Sequence, residues 1–121
     1  MDSNTASPAS TALLVADIGG TRARFALLDA QGAPHLVRIL TVADFAGPIE
    51  AIEAYLAEVA CPGLRAAAIA LAAPVHEPVV RLTNASWRFS REEITTRLGL
   101  QGLLLLNDFT ALALSLPWLA A

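Results

Sequence analysis

The stretch Leu13-Leu14-Val15-Ala16-Asp17-Ile18-Gly19-Gly20-Thr21-Arg22-Ala23-Arg24-Phe25-Ala26-Leu27-Leu28 changes its pattern halfway along. Leu13-Leu14-Val15-Ala16 is a continuous apolar run that ends at Asp17, the spelling of a strand buried on both faces. Ile18-Gly19-Gly20-Thr21 then reads as a turn, with two glycines free to take positive φ. From Arg22 onward the residues alternate. Ala23, Phe25 and Leu27 share one face, and Arg22 and Arg24 share the other, next to the turn. Strand, glycine turn, strand is a hairpin, and its first strand is spelled for the middle of a sheet.

Working outward, Gln31-Gly32-Ala33-Pro34 is a second turn, and a third strand over 35–41 completes an antiparallel meander. Ile49, Ile52, Leu56 and Val59 recur at helical spacing with Glu50, Glu53 and Glu58 off that stripe, which predicts a helix over 45–60. Pro48 suits its first turn and Cys61-Pro62-Gly63 its end. A second central strand is expected over 66–72, ended by Pro74, and a short one over 79–82. Ser90-Arg91-Glu92-Glu93 is a capping box that opens a helix closed by Gly99, with Ile94 and Leu98 on its packed side. A last buried strand covers 103–106, and a helix covers 108–116. The expected fold is therefore an α/β domain with a mixed sheet.

Composition narrows the function classes. The chain has 121 residues, 55% hydrophobic and 16% charged, with a formal net charge of −3, which suits one well-packed domain and not a disordered chain. Eight basic residues, all arginine, against eleven acidic ones give no broad positive field for nucleic acid. A single cysteine, Cys61, excludes a disulfide scaffold and fits a reducing compartment, so a cytoplasmic location is expected. Residues 1–12 are a polar lead without basic residues or an apolar core, expected to be disordered and not a secretory signal. The apolar run over 102–121 has about the length of a membrane span, but Asn107, Asp108 and Pro117 interrupt it. An aspartate at mid-bilayer costs about 3 kcal/mol, so the run reads as a buried strand and helix and no membrane partner is expected.

Three stretches could carry chemistry. At Asp17-Ile18-Gly19-Gly20-Thr21 the glycines let a phosphate approach the backbone, whose N–H groups and the Thr21 hydroxyl can donate to it. Asp17 could hold Mg²⁺ as an oxygen ligand, and Arg22 and Arg24 add positive charge. An ordinary Gly-Gly hairpin with a capping aspartate has the same spelling. The turn is neither a Walker loop nor a dinucleotide fingerprint, since no Gly-Lys-Ser/Thr follows and it leads into a strand. Asn107-Asp108 follows the last strand. If that strand runs parallel to the first, both acids emerge at one edge of the sheet, where a positioned carboxylate can take a proton from an attacking hydroxyl. A plain helix cap has the same sequence. Leu82-Thr83-Asn84-Ala85-Ser86-Trp87 contains sugar-contact residue types that ordinary loops also use. His35 and His76 have no acidic or cysteine partner at metal spacing.

Four segments together resemble the bacterial ATP-dependent glucokinase family, within the hexokinase–actin–Hsp70 superfamily. They are Leu14-Val15-Ala16-Asp17-Ile18-Gly19-Gly20-Thr21-Arg22-Ala23-Arg24-Phe25, Ala72-Ala73-Pro74-Val75, Leu82-Thr83-Asn84-Ala85-Ser86-Trp87-Arg88-Phe89-Ser90, and Leu105-Leu106-Asn107-Asp108-Phe109-Thr110-Ala111. The resemblance implies a ribonuclease-H-like (actin-like ATPase) domain and transfer of the ATP γ-phosphate to the 6-hydroxyl of glucose. It makes Asp108 the catalytic base and Asn107, Asp108 and Asn84 sugar-binding residues. It places Ala16, Asp17, Ile18, Gly19, Gly20, Thr21 and Arg22 at the ATP phosphates, with Asp17 toward Mg²⁺. Residues 13–121 would then be the small amino-terminal domain, with glucose and MgATP as partners and room for a homodimer.

Three departures accompany the resemblance. The family pattern has asparagine where Arg22 stands. It usually has glycine where Glu77 precedes Pro78. In relatives a larger domain follows, with a Glu-x-x-His type cluster and the adenosine pocket, to which nothing in these 121 residues corresponds. An inactive fragment, or a non-catalytic sugar-binding or regulatory module of the same superfamily, are the rival expectations.

Overall fold

The computed structural model describes residues 12–71, 78–81 and 87–107. The polar lead, the Pro74 and Glu77 region, Asn84, Asp108 and the expected helix over 108–116 lie outside the described residues. The strands β1 (Leu13–Ile18), β2 (Arg22–Leu28), β3 (Pro34–Thr41), β4 (Ala66–Leu71) and β7 (Gly102–Leu106) form one sheet in the order β3-β2-β1-β4-β7. A second, two-stranded ladder pairs β5 (Val79–Arg81) with β6 (Arg88–Ser90). The helices are α1 (Pro48–Glu58) and α2 (Arg91–Leu98).

The meander is antiparallel, with Leu14 opposite Leu27 and Ala23 opposite Leu40. Past it, the sheet turns parallel. Val15 pairs with Ala68 of β4, and Ala68 pairs with Leu104 of β7. β1 thus lies between an antiparallel and a parallel neighbour, which explains its unbroken apolar spelling. Small residues dominate β4, Ala-Ala-Ala-Ile-Ala-Leu, so the sheet's centre carries little side-chain bulk.

One face of the sheet, from Leu14, Ala16, Ile18, Phe25, Ile69 and Leu71, packs with Ile49, Ile52 and Tyr55 of α1 and Ile94 of α2. Val15, Ala26, Leu28, Ala68 and Ala70 form a smaller cluster on the opposite face. Phe25 and Tyr55 stack with ring centroids 5.5 Å apart. Burial raises the Tyr55 hydroxyl above its ordinary range, and this neutral hydroxyl donates to the Leu36 carbonyl at 2.8 Å. The bond reaches the exposed edge strand β3 where Leu36 sits at φ 55° and the β2–β3 register shifts between Phe25 and Leu27. A left-handed leucine is strained, and the Tyr55 bond holds it. The β2–β3 turn is closed by Asp29, whose carboxylate accepts from Gln31 N and Ala33 N, both at 2.9 Å. The Ala33 N–H holds that carboxyl below its ordinary range.

The first helix differs from its expected limits for local reasons, and the second does not. The first begins at Pro48 and not at residue 45, because the residue before a proline avoids helical angles: Gly47 is extended at φ −169°. Val42–Asp44 form a short 3-10 turn instead. The helix ends at Glu58, two residues short of the expected end, and Ala60, at φ 57°, turns the chain so that Cys61 N donates to Leu56 O at 2.9 Å. In α2 the expected caps are present. Ser90 Oγ accepts from Glu93 N at 2.9 Å, and Gly99 closes the helix at φ 64°. Strand β6 had no signal of its own, since three residues are too few to show a period. Among the described residues no helix is long and apolar enough to cross a membrane.

Candidate functional site

The parallel register sets the geometry. Asp17 of β1 is level with Ala70 of β4, and Ala70 is level with Leu106 of β7. Asn107, exposed, follows at once. The turn after β1 and the residues after β7 therefore leave the same edge of the sheet, two strand spacings apart, roughly 10 Å. This is the edge where open α/β sheets hold ligands.

At that edge a cavity of about 190 Å³ is lined by Asp17, Gly19, Arg22, Arg24 and Ile39. Cross-strand pairing explains the set. Asp17 is opposite Arg24, Arg24 is opposite Ile39, and Arg22 lies two residues along the same face. Asp17 is half-buried, and both arginines are exposed. Among the described residues none of the three charged groups forms an ion pair. Ile39 had no sequence signal, because only the β2–β3 register brings it here. Ala16 and Ile18 point their side chains into the core under the helices, so only their backbone faces this edge.

The glycines differ from expectation. Neither Gly19 nor Gly20 has positive φ; among the described glycines only Gly32 and Gly99 do. The turn closes through Gly19 N to Arg22 O at 2.9 Å, and Val42 N binds Thr21 O at 2.9 Å on its far side. A Cβ built on Gly19 would meet only Arg22 O, at 3.4 Å. The fold therefore does not demand glycine at 19, and the bare backbone is available to a ligand. Gly19→Ala should leave the chain folded, with stability unchanged or raised by about 0.5 kcal/mol through the unfolded state. The same variant should weaken triphosphate binding by about tenfold, since a methyl group holds phosphate off the N–H groups. Thermal melts and calorimetric titration check the two halves; unchanged affinity would remove Gly19 from the site.

The Trp-containing stretch divides between roles. Trp87 is 1% exposed, and its Nε1 donates to Phe45 O at 3.0 Å. Phe89 is buried in the same core, and Ser90 caps α2. This half of the stretch is structural; Thr83 and Asn84 lie outside the described residues. Among the described residues no group of three or more His, Cys, Asp or Glu could hold a metal. Asp17 alone, with Thr21 nearby in sequence, fits Mg²⁺, which takes one or two carboxylates and completes its shell with phosphate oxygens and water.

Comparison with known proteins gives the family and the fold. A family model described as Glucokinase matches residues 14–121. A glucokinase from Aromatoleum aromaticum is 52% identical over 110 residues, covering 89% of this chain and 33% of that protein. The crystal structure of a glucokinase from an Antarctic psychrotroph superposes with TM-score 0.76 at 36% identity, over 90% of this chain and 36% of that one. A ROK family glucokinase from Streptomyces griseus, solved with glucose and AMPPNP, superposes with TM-score 0.65 at 23% identity, over 91% of this chain and 37% of that one, and so shares the fold. The chain thus spans about a third of the length of such relatives. With the family model matched from Leu14 to the last residue, the chain belongs to the glucokinase family.

Proposed function

We propose that this chain is the small lobe of an ATP-dependent glucokinase and supplies its catalytic base and half of its phosphate site. The observation that carries the reading is the parallel run of β1, β4 and β7, which brings the Asp17–Thr21 turn and Asn107 to one sheet edge. In this reading Asp108, next in sequence after Asn107, accepts the proton of the sugar 6-hydroxyl as its oxygen attacks the γ-phosphorus. The bond between that phosphorus and the bridging oxygen breaks, and ADP leaves. Asn107, Asp108 and Asn84 hydrogen-bond sugar hydroxyls and fix the attacking oxygen in line.

With the Gly19 N–H closing the turn, Gly19 leaves the approach open, and the backbone N–H groups of Gly20 and Thr21 and the Thr21 hydroxyl donate to phosphate oxygens. Asp17 is the carboxylate available to Mg²⁺, which when bound offsets phosphate charge. A second lobe completes the sugar and adenosine pockets, and the enzyme works in the cytoplasm on glucose and MgATP. The test is a graft. This chain replaces the matching amino-terminal third of the Aromatoleum aromaticum glucokinase, and a coupled assay follows ADP. Glucose-dependent ADP formation is expected. A folded graft that binds glucose but makes no ADP would overturn the proposal.

A further inference from the structure

Among the described residues, Arg38 and Arg97 are seated against carboxylates. Arg38 bonds Glu58 at 2.6 Å, and Arg97 lies between Glu50, Glu53 and Glu93 at 3.7, 4.0 and 3.9 Å. Among the described residues Arg22 and Arg24 have no such carboxylate, although Asp17 stands directly across from Arg24. Both line the cavity with Asp17, so among the described residues two guanidiniums face one carboxylate and the lining is net positive. Eleven acidic residues against eight arginines would have allowed both to be paired elsewhere. A guanidinium is permanently charged, presents a planar fork of N–H donors and suits phosphate better than any neutral side chain.

We propose that Arg22, with Arg24, forms a cationic seat that holds a polyphosphate tail without a divalent cation, and that Arg22 sets how tightly metal-free nucleoside di- and triphosphates bind. The proposal rests on the phosphate-turn reading and adds to it a residue that departs from the family pattern. Its physical basis is charge balance. Asp17 repels a metal-free phosphate tail, and one arginine offsets that carboxylate only once. The second arginine turns the cavity from neutral to attractive. A consequence follows for the product. ADP that has lost its cation still finds a seat here, so this lobe is inhibited by metal-free ADP to an extent that Arg22 controls.

The experiment titrates sodium tripolyphosphate into the chain by calorimetry, in EDTA and at low salt. Tripolyphosphate carries neither sugar nor adenosine, so this readout and the grafted enzyme's activity fail independently. Wild type should saturate. Arg22→Asn should weaken binding by about tenfold or more, as loss of a charge-assisted contact does, and make its salt dependence shallower. Arg22→Lys, which keeps the charge and loses the fork, should fall between the two. Arg97→Gln, on α2 beyond the other face of the sheet, should bind as wild type does. Arg22 is exposed, so melting temperatures should match across the set. Absence of wild-type binding in EDTA would overturn the proposal. So would an Arg22→Asn affinity within about twofold of wild type, or an equal loss in Arg97→Gln.

Discussion

Asp108→Asn in the grafted enzyme lowers glucose-dependent ADP formation by a factor of about 10³ while glucose still binds, the loss expected when a positioned base is removed. The amide keeps the size of the carboxylate and can still hydrogen-bond a sugar hydroxyl, but it cannot take a proton at neutral pH. The effect therefore falls on kcat and largely spares glucose affinity. Asp108→Ala removes the sugar contact as well, and should raise KM besides. Turnover in Asp108→Asn within about threefold of wild type would take Asp108 out of the role of base. The position suits that role, because Asp108 follows Asn107, which leaves β7 at the edge where the glycine turn leaves β1.

Trp87→Ala should cost about 4 kcal/mol of folding stability, measured by urea unfolding, the usual range for deleting a buried aromatic side chain. Trp87 is 1% exposed and joins three parts of the molecule. Its ring sits in the core shared by the sheet and both helices, and its Nε1 donates to Phe45 O at 3.0 Å, just before α1. A domain of this size has only about 5–15 kcal/mol in hand, so the variant should be close to unfolding at 37 °C. Trp87→Phe fills most of the space but leaves the Phe45 carbonyl without its donor, and should cost about 1–2 kcal/mol. A loss below about 1 kcal/mol for the alanine variant would mean that the indole is not a core group, and would reopen its role as a sugar contact.

Much of the fold was legible because the relevant signals are local. The unbroken apolar run before Asp17 marked a central strand, the alternation after Thr21 marked its antiparallel partner, and Ser90 and Gly99 marked both ends of α2. What was not legible depends on contacts between distant residues. Just past the end of α1, Ala60 takes a left-handed conformation that alanine does not advertise. Leu36 is held in the same region by Tyr55, nineteen residues away. Strand β6 exists only through its pairing with β5.

The candidate site divides in the same way. Asp17 and the Gly-Gly-Thr turn were readable as a phosphate-binding pattern, but not that neither glycine takes positive φ. Ile39 joins the cavity through the register of an edge strand. Trp87 has the residue type of a sugar contact, and only its burial assigns it to the core. Asp108 and Asn84 rest on motif position, and the substitutions above are their tests.

The central claim is that the β1–β2 turn and the end of β7 serve one phosphoryl-transfer site. The most direct measurement is paramagnetic broadening of backbone amide signals on addition of Mn²⁺–ATP to isotope-labelled protein. The account predicts that Gly19, Gly20, Thr21 and Asn107 broaden together, while Thr95 and Thr96 of α2 stay sharp. Broadening at the turn without Asn107, or strongest broadening on α2, would contradict it.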